Sequence, residues 1–589
     1  MHSNGQSTGT NSLDPIKFEV IRSALTATTE EMAATLRRSA YSTNVKTRQD
    51  FSCAFLDSEL RVVAQAFTQP VHLGSFVELI PRSVRSYGVE NMAPGDMILV
   101  NDPHSGGTHL NDITLIAPVY YPGAPDELGE KPVGYLATLA HHVDVGGGAP
   151  ASLGAFQEIY QEGIIIPPVK FVEGGEIVSD IFTLVMAQVR SKRETPGDFR
   201  AQVSANLIGT RRVISLFDQY GYDETLFYMN ELLEYTSRRT KSEIAGLPNG
   251  TYKAEGFLDS DGFTDKVVKL VIEVRIEENE VFFDTTGSDP QRRAPINSTL
   301  AMTFSGCAYA LRALLDKDLP VNDGFYRNMK VHAPKGTVTH AAPPAAVVGG
   351  WETEDRLNDL IFLALSDAMP DRVPAGTKAM QCQVGIGVID PADGEYKCTY
   401  EAIAGGYGGR MTLDGPDAVQ AHGQNTENAP AEETEAKHPM RISRYELIEN
   451  SEGPGRQRGG LGLRRDYEFP DVAAKFTILA DREISGPWGL FGGKAGRKAY
   501  YIQNPGRESI ELGSKVTLQL KPGDVISYQT CGGGGYGNPY EREPSLVLDD
   551  VLNGKVSTER ARTEYRVEID STGRNIDESA TRQLRETAH

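Results

Sequence analysis

Two short stretches of this chain concentrate the residue types that hold divalent metals. One runs Asn101-Asp102-Pro103-His104-Ser105-Gly106-Gly107-Thr108-His109-Leu110-Asn111-Asp112, the other Ala140-His141-His142-Val143-Asp144-Val145-Gly146-Gly147, and four of the eleven histidines fall in them. Imidazole and carboxylate donors suit Zn, Mn or Fe, and crowding them is costly unless charge chemistry answers the desolvation. Asp50, His109, Asp112 and His141 form the expected metal-ligand set, with an open position for water or substrate. Asp50, His109, His141 and Asp144 are the expected catalytic residues. Neighbours on an extended segment face opposite ways, so only one of His141 and His142 readily faces the site, and His141 is preferred. Asp144 is then placed as an orienter of an imidazole N–H. Asp102 or His104 could replace a ligand, and His72 either lines the same pocket or satisfies a core hydrogen bond. The bland alternative is that these side chains only tie loops together.

Positioning those residues requires particular elements. Asp14-Pro15 reads as an N-cap with proline at the first helical position, and Phe18, Ile21, Leu25, Met32 and Leu36 follow at helical spacing. Residues 51–56 and 61–66 read as a hairpin with Asp50 at its entrance. Residues 97–100 predict a strand running into Asn101-Asp102-Pro103, where proline forces an extended exit. Residues 113–119 and 133–140 predict two more strands joined by a Pro/Gly/Asp-rich loop over 121–131. His109 and Asp112 lie just before one strand and His141 just after the other, so antiparallel pairing would bring them together.

Beyond this region, 177–244 reads as helical, 241–250 as a boundary, 267–276 and 281–284 as strands, and 298–315 and 351–368 as helices. After Gln381 the chain is glycine-punctuated and strand-rich to about Tyr536, and the last fifty residues are charged and mostly helical. The fold class expected is α+β and multi-domain: a flexible 1–13, a metal-site domain over 14–245 whose last third is the helical segment, a mixed middle over 246–380, a β-rich part over 381–540 and a helical tail over 541–589.

Composition sets outer bounds. At 589 residues roughly three or four compact units are expected. A net charge of −21 repels a phosphate backbone and argues against nucleic-acid or anionic-membrane partners. The five cysteines are scattered and never in C-x-x-C spacing, which suits buried thiols in a reducing compartment. No signal peptide or membrane-length apolar run is read, so a cytoplasmic protein is expected. The glycine runs at 405–409, 459–462 and 532–537 form no Walker A sequence and read as turns and close backbone packing. Arg456, Arg458, Arg464 and Arg465 around one of them read as an exposed or interface face, or as a carboxylate or phosphate clamp.

Asp50-Phe51-Ser52-Cys53-Ala54, Pro70-Val71-His72-Leu73-Gly74-Ser75, Asn101-Asp102-Pro103 through His109, and His141 through Gly147, continued at Gly532 to Gly537 and Pro539, resemble the hydantoinase B/oxoprolinase family over nearly the whole chain. The resemblance implies a metal-bearing subunit that works with a hydantoinase A-type, ATP-binding partner, in an α2β2-like hetero-oligomer, to open cyclic amides such as hydantoins, oxoproline and lactams. Family metal positions map onto Asp50, His109 and His141, with Asp112 beside them. The same resemblance admits a second activity, ATP-dependent carboxylation of a ketone, and a non-catalytic scaffold is the contrasting reading. The chain departs from the pattern at Thr47, where many relatives carry glutamate, and around Gly349 to Thr353.

Overall fold

The computed structural model describes residues 13–66, 69–125, 131–264 and 266–586. The expected flexible segment over 1–13 lies outside them except for Leu13, as do residues 126–130 of the expected loop. Asp14 caps the first helix, Pro15–Ser39, by accepting from the amides of Ile16 and Lys17, and Ile21, Leu25, Met32 and Leu36 form its buried face.

The region bearing the metal-type residues is a seven-stranded antiparallel sheet. Its strands are β1 (Phe51–Asp57), β2 (Val62–Gln65), β3 (Met97–Val100), β4 (Asp112–Val119), β5 (Gly134–His141), β6 (Val169–Glu173) and β7 (Glu176–Ile177), in the order β2-β1-β5-β4-β3-β6-β7. Alternate residues enter two different cores: Phe51, Cys53 and Phe55 face the core shared with the helices Pro15–Ser39 and Glu194–Tyr220, while Ala54 and Leu56 face one shared with the middle of the chain. Covering on both faces explains why these strands read as continuous apolar runs rather than as strict alternation. Buried carboxamides fasten the second helix to the sheet, with Gln202 Nε2 donating to the carbonyls of Ile113 and Thr138 and Asn206 to that of Leu115.

The expected helical stretch resolves into Ser179–Gln188, Glu194–Tyr220 and Tyr222–Ala245. A four-stranded sheet follows, Gly250–Leu258, Val268–Glu277, Glu280–Asp284 and Met329–His332, packed with the helices Leu300–Leu314 and Gly350–Leu365. This middle core is continuous with the second face of the first sheet, because Leu270, Leu311 and Leu357 share a cluster with Ala54, Ile98 and Leu139. Two further sheets, of four and five strands, build the region between Gln383 and Gln529, and the helices Pro544–Leu552, Thr558–Tyr565 and Glu578–Glu586 close the chain. The chain is a mixed α+β protein, and no described helix is long and apolar enough to cross a membrane.

The glycine runs pack backbone on backbone: a Cβ on Gly533 would stand 2.0 Å from the carbonyl oxygen of Tyr407. The arginines among them are mostly internal. Arg458 pairs with Asp417 and Asp550, Arg465 with Glu401, and Arg464 with Asp466, so these carboxylates, rather than an external anion, occupy them. All five cysteines are free and buried.

Candidate metal centre

The register of β4 and β5 sets Asp112 directly opposite His141. Buried asparagines brace the loops at that end of the sheet: Asn44 Nδ2 donates to the carbonyl of His141 at 2.7 Å, Asn101 Nδ2 to that of Leu110 and Asn111 Nδ2 to that of His142. Upstream, the chain turns at Gly106, whose φ of +115° and contact with Glu78 backbone leave no room for a side chain.

His109, Asp112 and His141 each offer one donor atom, and these atoms lie within 4.8 Å of one another. Asp112 Oδ2 is 3.2 Å from His109 Nδ1, and Oδ1 is 3.2 Å from His141 Nδ1. The two imidazoles meet at 2.9 Å, His109 Nε2 to His141 Nδ1. His72 approaches Asp112 at 3.4 Å through Nε2 and engages the Ser52 hydroxyl at 2.9 Å through Nδ1, so it lines the site as well as bonding to the core. Burial holds the His109 imidazole down to about 3. Burial alone would raise the Asp112 carboxyl, but the charges of His109 and His72 and hydrogen bonds from His141 and His72 hold it well below the ordinary range.

Two observations test whether a metal fits. His109 Nδ1, although close to Asp112, lacks the alignment of a hydrogen bond, and His141 Nε2 has no partner among the described residues. Asp112 is fully buried, yet no lysine or arginine pairs with it among the described residues. Unanswered nitrogen donors beside an unbalanced carboxylate fit a divalent cation. The adjoining cavity, about 10 Å³, has room for one water-sized occupant.

Asp50 lines that cavity, but its carboxylate stands outside the three-donor cluster and accepts from the Tyr400 hydroxyl at 3.4 Å. Asp144 requires a correction. Its carboxylate is held by the Arg190 guanidinium at 2.7 Å and by the amides of Arg190 and Gly146, so it orients no imidazole. A buried carboxylate takes the strongest charged donor in reach, and Arg190 supplies it through one guanidinium nitrogen and its own amide. Asp102 caps the turn Pro103–Ser105, and His104 bonds the Ala345 carbonyl; neither joins the cluster. His142 faces the opposite way, as alternation requires, bonding Gln202 at 2.9 Å. Thr47 bonds Glu433 and does not line the cavity.

Two aromatic residues complete the site without having been expected. Tyr400 stacks on His141 with centroids 4.5 Å apart, and Trp351 meets His109 edge-on at 4.6 Å. Arg48 lies over the Tyr400 ring at 4.5 Å. Both rings pack against the imidazoles, and their place in the site carries no sequence signal beyond the altered Gly349 to Thr353 stretch that holds Trp351, since they arrive from a strand and a helix more than two hundred residues away.

The chain belongs to the hydantoinase B/oxoprolinase family, whose model matches residues 14–539. It is similar to the B-type component of a putative D-/L-hydantoinase from Pseudomonas sp. (strain NS671), 32% identical over 97% of this chain and 98% of that one. A crystal structure of ATP-dependent caprolactamase from Pseudomonas jessenii overlays with a TM-score of 0.90 at 30% identity, covering 98% of this chain and 100% of that one. A nucleotide-free structure of acetone carboxylase overlays with a TM-score of 0.88 at 20% identity, over 98% of this chain and 83% of that one, which shows a shared fold.

Proposed function

We propose that this chain is the metal-binding subunit of an ATP-dependent cyclic amidohydrolase, acting with a hydantoinase A-type partner that binds ATP, in an α2β2-like hetero-oligomer. The observation that carries the reading is the gathering of His109, Asp112 and His141 within 4.8 Å in a chain that matches caprolactamase and a B-type hydantoinase component almost end to end. His109, Asp112 and His141 would hold Zn, Mn or Fe, with Asp50 as a further oxygen donor or proton acceptor at the cavity wall. Such a metal supplies Lewis acidity toward a carbonyl or phosphoryl oxygen.

An unstrained amide is a poor electrophile, so ATP used by the partner to phosphorylate its oxygen accounts for the energy requirement. This chain then receives the activated ring. Tyr400 and Trp351 keep bulk water from the imidazoles, His72 passes the Asp112 carboxylate a hydrogen bond braced by Ser52, and the Asp50 carboxylate accepts the proton released by the water that attacks the activated carbon. A ketone carboxylase is the second reading, favoured by the fold shared with acetone carboxylase. The copurified complex, given ATP with a lactam or hydantoin and separately with a ketone and bicarbonate, decides between them: ring opening is expected, and carboxylation without ring opening would replace the reading.

A further inference from the structure

Beside the metal cavity lies a larger one of about 380 Å³, within the range of small-ligand pockets. The two share the side chains of Gln69 and Gln424 as a common wall. That wall is fastened on both sides: Gln69 Oε1 accepts from the Asn425 amide at 2.8 Å, and Gln424 Oε1 accepts from the buried Lys378 ammonium at 2.9 Å. A hydrogen-bond path also joins the cavities. Ser52 lines the larger one, and its hydroxyl meets His72, which in turn meets Asp112.

We propose that this larger cavity receives the hydrocarbon body of the substrate, and that it selects an uncharged cyclic amide. The inference rests on the amidohydrolase reading above. Leu73, Phe76, Ala308, Val321 and Phe325 line it, and no carboxylate does among the described residues. Three enclosed polar atoms of its lining residues have no partner among the described residues, Gln65 Nε2, His422 Nδ1 and Arg312 Nε. His422 is anchored through Nε2, which lies 2.7 Å from the Asp359 carboxylate. Arg312, the one lysine or arginine of the lining among the described residues, spends both Nη2 hydrogens on the carbonyls of Lys317 and Leu319 and one of Nη1 on that of Asp316, leaving Nε and a single Nη1 hydrogen. A carboxylate grips a guanidinium through two parallel donors, which Arg312 no longer offers.

The test uses the complex copurified with its ATP-binding partner and a series of unsubstituted lactams from 2-pyrrolidone to ε-caprolactam and larger rings. Val321→Phe and Ala308→Val fill the cavity to different extents. Both should raise KM in a manner that steepens with ring size, by about tenfold for the largest rings, because a methylene in an apolar pocket is worth roughly 10–200-fold. Metal content should not change in either variant. Wild type should prefer 2-pyrrolidone to 5-oxoproline, which is the same ring with a carboxylate added. A uniform loss across all ring sizes, or a preference for 5-oxoproline, would overturn the proposal. Should the wild-type complex open none of these rings, the amidohydrolase reading falls separately, and calorimetric titration with ε-caprolactam judges the cavity. Binding weakened by Val321→Phe supports it; no heat, or equal affinity in both proteins, overturns it.

Discussion

Two buried polar clusters in this molecule are balanced in opposite ways. Along the largely buried helix Gly350–Leu365 and the strands beside it, each of two aspartates has a cation in place: Asp481 faces Arg356 at 2.7 Å and Lys515 at 3.1 Å, and Asp359 faces Arg482 at 3.0 Å. Asp112 is as deeply buried and faces three imidazoles at 3.2–3.4 Å, with no lysine or arginine paired to it among the described residues. Taking ions out of water is costly, and mutual pairing offsets it only when the partners are in place. These ion pairs are complete within the chain and hold distant segments together, although Glu352, Glu354 and Asp355 on the same helix are buried with no lysine or arginine paired to them among the described residues. The second cluster would be completed by the cation proposed for it, which is how a binding centre would differ from a structural ion pair.

The largest effect should come from breaking the balanced cluster. Asp481→Ala leaves Arg356 and Lys515 buried without a counter-charge and should destabilise the protein by about 3–5 kcal/mol, read as a fall in Tm. Asp112→Asn in metal-stripped protein removes an anion that faces imidazoles but no lysine or arginine among the described residues and should lower Tm by less; an equal or larger fall would erase the contrast between the two clusters.

Glu162 extends the comparison to pH. Burial pushes its carboxyl up to about 8 from an ordinary 4.5, although its Oε1 accepts from the amides of Val347 and Val348. Between those two values the native state holds a proton that the unfolded chain has released. Stability from this group is therefore greatest below pH 4.5, falls as pH rises and levels off above about 8, by roughly 1.4 kcal/mol per unit of the difference. Glu162→Gln should remove that slope, so its Tm should gain on wild type as thermal unfolding is followed from acid to mildly alkaline pH; parallel curves would refute the assignment.

A smaller effect is expected at Asp144. Asp144→Asn loses the pairing with Arg190 and should cost about 1–3 kcal/mol, while metal content and turnover stay near wild type. Loss of metal in that variant would restore Asp144 to the site.

These contrasts also show what the sequence could convey. β4 and β5 were legible because apolar residues run between turn-forming ones, and once they pair, Asp112 must fall opposite His141. Strand alternation likewise separated His141 from His142. Asp144 was misplaced because its proximity to two histidines in sequence says nothing of Arg190, which reaches it from 46 residues away. The contacts of Tyr400 and Trp351 were invisible for the same reason, since the Gly349 to Thr353 stretch stood out only as a departure from the family pattern and ring packing on His141 and His109 depends on distant elements folding together. The arginines at 458, 464 and 465 looked available because their aspartate and glutamate partners, apart from Asp466, lie far along the chain.

The central claim is that His109, Asp112 and His141 together hold one divalent metal. Elemental analysis of the copurified complex, beside a His109→Ala variant whose circular dichroism matches wild type, tests it most directly. About one equivalent of Zn, Mn or Fe per chain is expected in wild type, with metal and turnover lost together in the variant. A metal-free wild type that still turns over, or a variant that keeps its metal, would contradict it.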